Sequence, residues 1–319
     1  MEKIIRHGLS IFLLLCGSAA AQDPWPVKRI SFVVGFSVGG FADNVARLIG
    51  NRLGQSLKQS VIIQNLDGAG GNTAARQISA SSPDGYTFLV TTTSLAINET
   101  LYKNKGFSAS QLLPVAIPVS APEALTGNPK AGLKTFADVV AASREGRLFM
   151  GSPGIGSGSH IAAEYFFKKL AKMEVKHIPF AGGNPSMQAL LTGDINLRAA
   201  TVTNTTIPHV RGGELVGIAI ASEERDAALP DVPTFAEIGY PGFVANSWVG
   251  FFGRAGTPDY IVKKLNDEIN AAFDDPEVKK QMESLSLNIT KRDLAGTQAY
   301  FLREVGNWAD MVAATGLQM

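Results

Sequence analysis

Gly35-Phe36-Ser37-Val38-Gly39 places a serine between two flanking glycines at the junction of a strand and a helix, the spacing of a nucleophile elbow. A hydrolase would also need an oxyanion hole and a base. The stretch lies on the first strand after the leader, so no earlier strand and loop can build the usual hole. His160, His177 and His209 are the only histidines beyond the leader, and none has a carboxylate at a spacing that marks it as a base. A serine hydrolase using Ser37 is therefore the weaker reading. The stronger one is an anion seat: Gly35, Gly39 and Gly40 leave backbone N–H groups unshielded, and the helix that follows, with Asp43 in its first turn, adds unpaired N–H groups and a partial positive charge. Carboxylate is the anion expected.

The elements that position this loop alternate. Ile30 to Val34 reads as a buried strand, and Val45, Leu48, Ile49, Leu53 and Leu57 recur at helical spacing. Val61 to Gln64 is a second strand, Asn65 to Asn72 a second glycine-rich loop opening a helix near Thr73 to Ser81, and Pro83-Asp84-Gly85 a turn before the strand Tyr86 to Thr91. Hydroxyls and an amide follow where that strand ends, with Thr92, Ser94 and Asn98 as candidates for a cleft. Strand and helix in close alternation predict a parallel α/β sheet with ligands beyond the carboxyl ends of its strands.

The pattern repeats further on. Val115 to Ser120 is a strand, Pro129 to Leu133 a crossing segment, Thr135 a helix cap and Leu148 to Gly151 a strand. The loop from Gly151 to His160, with Ser152, Gly156, Ser157, Gly158 and Ser159, is a second glycine-and-hydroxyl seat whose helix is capped by Ser157 or Ser159. Strands follow at Val175 to Pro179 and Ile195 to Ala200, the latter with Arg198 and Ala200 on one face, and a helix near Ser186 to Leu191 lies between them. Arg198 supplies a bidentate donor pair for a carboxylate. After a strand at Val216 to Ala221, Leu229 to Pro241 suits a return crossing and Trp248 to Gly253 a returning strand. Helices then open at Thr257-Pro258, Asp275-Pro276 and about Leu294, the last carrying Phe301, Val305, Trp308 and Val312 on one stripe.

Composition excludes several classes. Of 319 residues, 45% are apolar and 18% charged, enough for a sizeable core, and 29 basic against 28 acidic residues give a formal charge of +1. With no basic cluster interleaved with aromatics, nucleic acid is not an expected partner. Lys3 and Arg6, an apolar run from Leu9 to Leu15 and Ala19-Ala20-Ala21 before Gln22 form a secretory leader, with cleavage expected after Ala21. Cys16, the only cysteine, lies inside it, and Leu15 is too large for a lipoprotein cleavage box. A soluble periplasmic protein without disulfides is expected, and nothing points to an oligomer. Without a mature cysteine, a His-x-x-x-His pair or a Glu-rich helix pair, no metal is expected; without a third glycine after Gly154-x-Gly156 or a Gly-Lys-Ser/Thr loop, no cofactor is.

Many short matches in one order make the chain resemble the Bug-type solute-binding proteins of tripartite tricarboxylate transporters over nearly all its mature length. They include Phe36 to Arg47, Asn65 to Gly71, Pro83 to Thr87, Gly151 to His160, His177 to Gly182, Pro208-His209-Val210, Leu229 to Thr234 and Gly256-Thr257-Pro258. The resemblance implies a periplasmic-binding-protein-like fold: two α/β domains joined by two crossing strands, with a ligand cleft between them. The domains would be 22–124 plus 248–319, and 125–247, after a leader of 1–21. It implies hinge closure on a carboxylated solute, delivered to a membrane permease without chemical conversion, and a carboxylate held by backbone N–H groups of two loops, here Ser37 to Asp43 and Ser152 to His160. An exported sensor feeding a kinase is the alternative.

The departures bear on specificity. Ser37 and Val38 stand where many members have two prolines, Ala200 where an acidic residue often ends its strand, and Arg198 at a usually apolar position. Losing a carboxylate and gaining a guanidinium favours a second anionic end on the ligand over an ammonium. A dicarboxylate is expected, aliphatic or aromatic, with Phe36 or Phe41 against its apolar middle.

Overall fold

The computed structural model describes residues 24–319; the leader and its cleavage point lie outside the described residues. In chain order the elements are β1 (Ile30–Val34), α1 (Phe41–Ser56), β2 (Val61–Asn65), α2 (Asn72–Ser79), β3 (Thr87–Thr92), α3 (Ser94–Leu101) and β4 (Leu112–Gly127). The middle of the chain holds α4 (Phe136–Arg144), β5 (Phe149–Ser152), α5 (Gly158–Tyr165), β6 (Lys176–Pro179), α6 (Gly183–Thr192), β7 (Leu197–Thr201), α7 (Ile207–Arg211) and β8 (Val216–Ile220). The chain then returns through β9 (Asn246–Arg254), α8 (Asp259–Ala272), α9 (Pro276–Ser284), β10 (Asn288–Ile289) and α10 (Leu294–Thr315).

These strands make two mixed sheets that share β4. In the first, β1 pairs in parallel with β2 and β3, while β9 runs antiparallel to both β3 and β4. In the second, β5 pairs in parallel with β6 and β7, and the far half of β4 runs antiparallel to β7 and β8. The parallel sheet expected from alternation is thus only the outer part of each sheet, because the strands linking the two lobes run against the others. Up to Pro122, β4 is paired with β9 and β10; from Glu123 it is paired with β7 and β8.

β4 is therefore itself a crossing strand, which corrects the expected crossing at Pro129 to Leu133. Its sequence conceals it. Pro114, Pro118 and Pro122 interrupt the β pattern at every fourth residue, and the strand accommodates the first two through register irregularities between Pro114 and Val119. The return does not use Leu229 to Pro241 either: Ala245 bridges the lobes by accepting from the N–H of Glu123 and donating to Ala221, immediately before β9.

Local signals set the helix starts. Thr135 and Asp138 form a capping box on α4, Ser157 caps α5 by accepting from the N–H of His160, and Asp275 and Asp293 cap α9 and α10. α3 was not expected; Leu95, Ala96, Ile97 and Asn98 are all buried, so it lacks the polar face that makes a helix readable. Phe301, Trp308 and Val312 of α10 are core residues, with Phe301 edge-on to Trp248 and Phe252, and their cluster continues into α5 and β7 of the other lobe. The core is therefore continuous between lobes on the α10 side.

Gly85 shows how tightly the first lobe is closed. Its φ is +76°, an added Cβ would sit 2.6 Å from Cγ2 of Ile261, and its carbonyl accepts from the Trp25 indole. Gly85→Ala combines left-handed strain with overpacking and is expected to lower stability by about 3 kcal/mol. Urea unfolding of the two proteins measures it; a loss below the error of the midpoint would contradict the contact.

Candidate functional site

Four helices begin around one small cavity between the lobes, which has a volume of about 120 Å³. The first lobe contributes the starts of α1, through Phe41 and Ala42, and of α3, through Ser94; the second contributes α5, through Gly158 and Ser159, and α6, through Gly183. α1 and α6 have glycine at the N-cap, Gly40 and Gly182, and hence no side-chain cap on their first N–H groups. Converging uncapped helix starts form a positive, donor-rich enclosure without any cation.

One cation is present as well. Arg198 is 1% exposed and borders the cavity. Its Nε donates to Ser186 Oγ at 3.0 Å, and its terminal nitrogens donate to Thr206 Oγ1 and the Gly183 carbonyl at 3.2 Å each. Two of its five N–H groups are left over. No described carboxylate pairs with it. Burial brings its pKa down to about 10, partly opposed by the field of Glu123. A guanidinium taken out of water without a counter-ion attracts an anion strongly.

The cavity gathers many of the residues singled out from sequence: Phe36, Ser37, Gly40, Phe41, Thr92 and Ser94 from the first lobe, and Ser157, Gly158, Ser159, Arg198 and Ala200 from the second. Others lie elsewhere. Val38 is 66% exposed and points away. Asp43 is a buried knot behind the loop: its carboxylate accepts from the Gly39 N–H at 2.8 Å, Arg47 Nε at 2.9 Å and Asn65 Nδ2 at 2.8 Å, which holds its pKa below the usual range despite burial. Asp43 thus shapes the seat and uses up the N–H of Gly39. Asn98 bonds the Gly70 carbonyl and Asn72, propping the second glycine loop rather than facing the cavity. Ser152 and His160 turn into the second lobe, and Gly156 lies against Leu101 and Asn98 of α3.

There His160 Nδ1 accepts from the Gly156 N–H at 3.2 Å, and His177 Nε2 shares a 2.7 Å hydrogen bond with Ser152 Oγ. The two rings stack with centroids 4.1 Å apart. Glu164, four residues after His160 on one helix face, completes a group whose ligating atoms lie within 4.8 Å of one another, and the sequence reading missed it. Protein partners compete for it: each histidine spends one ring nitrogen on a hydrogen bond within the lobe, and Lys168 Nζ lies 2.7 Å from Glu164. His160 is held neutral, its pKa lowered to about 3 by burial and by the nearby His177 and Lys168.

Among the described residues no histidine reaches Ser37, since the third, His209, is paired with Glu214 at 2.6 Å. Among the described residues the elbow therefore has no histidine base. Missed from sequence were Pro153, Gly182, Gly183, Thr203, Thr205, Thr201 and Ser247, all at the cavity, and Glu123 behind it. The run Thr201-Val-Thr-Asn-Thr-Thr206 carries the same signal as Thr91 to Asn98, hydroxyls at a strand end; nothing local marks Ser247 or Glu123.

A model of the tripartite tricarboxylate transporter family receptor matches residues 45–317. The chain belongs to that receptor family. Solved structures agree. The periplasmic binding protein BugD is 27% identical with a TM-score of 0.85, covering 92% of this chain and 99% of its own. A protein of R. palustris solved with adipate is 27% identical with a TM-score of 0.87 over the same shares. MatC from Rhodopseudomonas palustris, with bound malate, is 30% identical with a TM-score of 0.84, covering 90% of this chain and all of its own. The receptor fold is thus the periplasmic-binding-protein one, two α/β lobes with a cleft between. Among the described residues no helix of this receptor is long and apolar enough to cross a membrane.

The neutral His160 gives the receptor a pH signature. Its folded pKa lies below the unfolded 6.5, so the unfolded chain binds the extra proton between the two values; the stability is fully present above pH 6.5 and drains as pH falls toward 3. His177, lowered in the same direction, adds to it. His160→Asn keeps an acceptor for the Gly156 N–H and removes the titration. Relative to this variant, the wild type should lose about 1.4 kcal/mol per pH unit through that window in urea melts; parallel curves would mean that His160 is not buried neutral.

Proposed function

We propose that the receptor captures a dicarboxylate in the periplasm and hands it unchanged to a tripartite tricarboxylate-type permease. The observation that carries this is Arg198: a buried guanidinium with spare donors and no acid partner, facing helix starts from both lobes across a cavity of about 120 Å³. One carboxylate fits the starts of α1 and α5, as the loops Ser37 to Asp43 and Ser152 to His160 were expected to provide, and Arg198 takes the second. Phe36 and Phe41 offer apolar surface to the carbon chain between. The small volume favours a short aliphatic diacid over an aromatic one, and the bound adipate and malate of the two relatives are of that kind. Closure is by a hinge where β4 changes partners, near the expected lobe boundaries of 124 and 248, and the molecule works as a monomer.

Calorimetry against diacids of increasing length, with an amino acid series beside it, tests the reading; preference for an amino acid would remove it. Arg198→Met separates binding from folding. Removing a buried unpaired charge for an apolar chain of similar length should leave the melting temperature of the free protein unchanged or higher, while diacid affinity falls about a hundredfold. Unaltered affinity would place the second carboxylate elsewhere.

A further inference from the structure

The second lobe holds a compact set of metal-ligating side chains that the diacid site does not use. His160 and Glu164 stand one turn apart on α5, and His177 reaches them from β6, with one ligand atom from each within 4.8 Å of the others. His-x-x-x-Glu on one helix face supplies two ligands, and the third comes from a separate strand, so spacing alone does not reveal the set. His160 is 3% exposed and Glu164 4%.

A carboxylate so deeply buried calls for a cation, and the one at hand is loosely held. Lys168 Nζ lies 2.7 Å from Glu164 Oε2 without the alignment of a hydrogen bond, and the lysine side chain is 46% exposed. It can swing into water. What remains is a carboxylate beside two imidazoles. Each histidine commits one ring nitrogen to the protein, His160 Nδ1 to the Gly156 N–H and His177 Nε2 to Ser152 Oγ, and the other nitrogen makes no hydrogen bond among the described residues. Two imidazole nitrogens and a carboxylate suit Zn²⁺ and its transition-metal neighbours, with a water in the fourth position; Ca²⁺ and Mg²⁺ call for oxygen donors instead.

We propose that His160, Glu164 and His177 form a binding site for a divalent transition-metal ion, Zn²⁺ first among them, and that Lys168 is the cation the ion displaces. A tetrahedral shell with bonds of about 2.0–2.2 Å sets its donor atoms about 3.3 Å apart, so the 4.8 Å cluster contracts by up to about 1.5 Å. One ring leaves the stack, because an ion lies in the plane of each imidazole that binds it. His177 is the less buried of the two and rides on β6, which pairs with β5 alone. At His160 the ion takes Nε2, the ring proton passes to Nδ1, and the 3.2 Å bond from the Gly156 N–H is given up. Gly156 belongs to the loop whose Pro153, Ser157 and Ser159 border the inter-lobe cavity, so the ion acts on the anion seat from behind.

Calorimetric titration of the chelator-stripped protein with zinc chloride decides it. The wild type should take one ion with a dissociation constant of about 1–10 µM and give no heat with magnesium or calcium chloride at the same concentration. His177→Phe keeps a ring in the stack without a ligating nitrogen and should weaken zinc binding by about thirtyfold or more, as should Glu164→Gln. Lys168→Met removes the competing ammonium and should tighten binding about tenfold, which an ion held elsewhere on the surface would not show. Melting of the metal-free variants identifies those that fold; if Glu164→Gln does not, His177→Phe on its edge strand takes its place. No zinc binding by the wild type below about 1 mM, or an affinity unmoved in folded His177→Phe or Lys168→Met, overturns the proposal. Loss of binding in His209→Ala overturns it as well, by placing the ion on the pair that His209 makes with Glu214.

Discussion

The receptor carries a guanidinium shut away from water without an ion partner, and its other features fall into order around that constraint. Arg198 is tolerated because Ser186, Thr206 and the Gly183 carbonyl hold three of its donors, yet neutral acceptors do not cancel its charge. Around it the second lobe brings the starts of α5 and α6 and the first lobe those of α1 and α3. Leaving the charge unmatched costs stability and creates affinity for whatever anion completes the site.

An acid, Glu123, is buried on β4 beside the same cavity. Burial raises the pKa of Glu123, opposed by Ser159, Ser247, Thr201 and the charge of Arg198. The cavity is thus bordered both by Arg198 and by the hydroxyls that surround Glu123.

What could be read from sequence followed physical range. The loops at Ser37 to Gly40 and Ser157 to Ser159 declared themselves because glycine and hydroxyl residues at a strand-to-helix junction have local conformational reasons to be there. Arg198 stood out as a charge in an otherwise apolar strand. Asp43 was read as part of the seat and proves to be its brace, since a carboxylate in a first helical turn looks the same from sequence whether it faces inward or outward. Glu123, Ser247 and the grouping of His160 with Glu164 and His177 depend on contacts between residues up to 124 positions apart, which no local pattern encodes. β4 was hidden by its prolines, and α3 by being buried along its first five residues.

The sharing of β4 has a mechanical consequence. A sixteen-residue strand hydrogen-bonded into both sheets is no floppy tether: any movement between the lobes has to twist that strand against β9, with the α10 packing resisting on one flank. Its behaviour is that of a torsion bar: the deformation is spread over many peptide units and recoils when released. Glu123 sits where that strand changes sheets, so a twist of the bar there moves the acid that Ser159 and Ser247 contact.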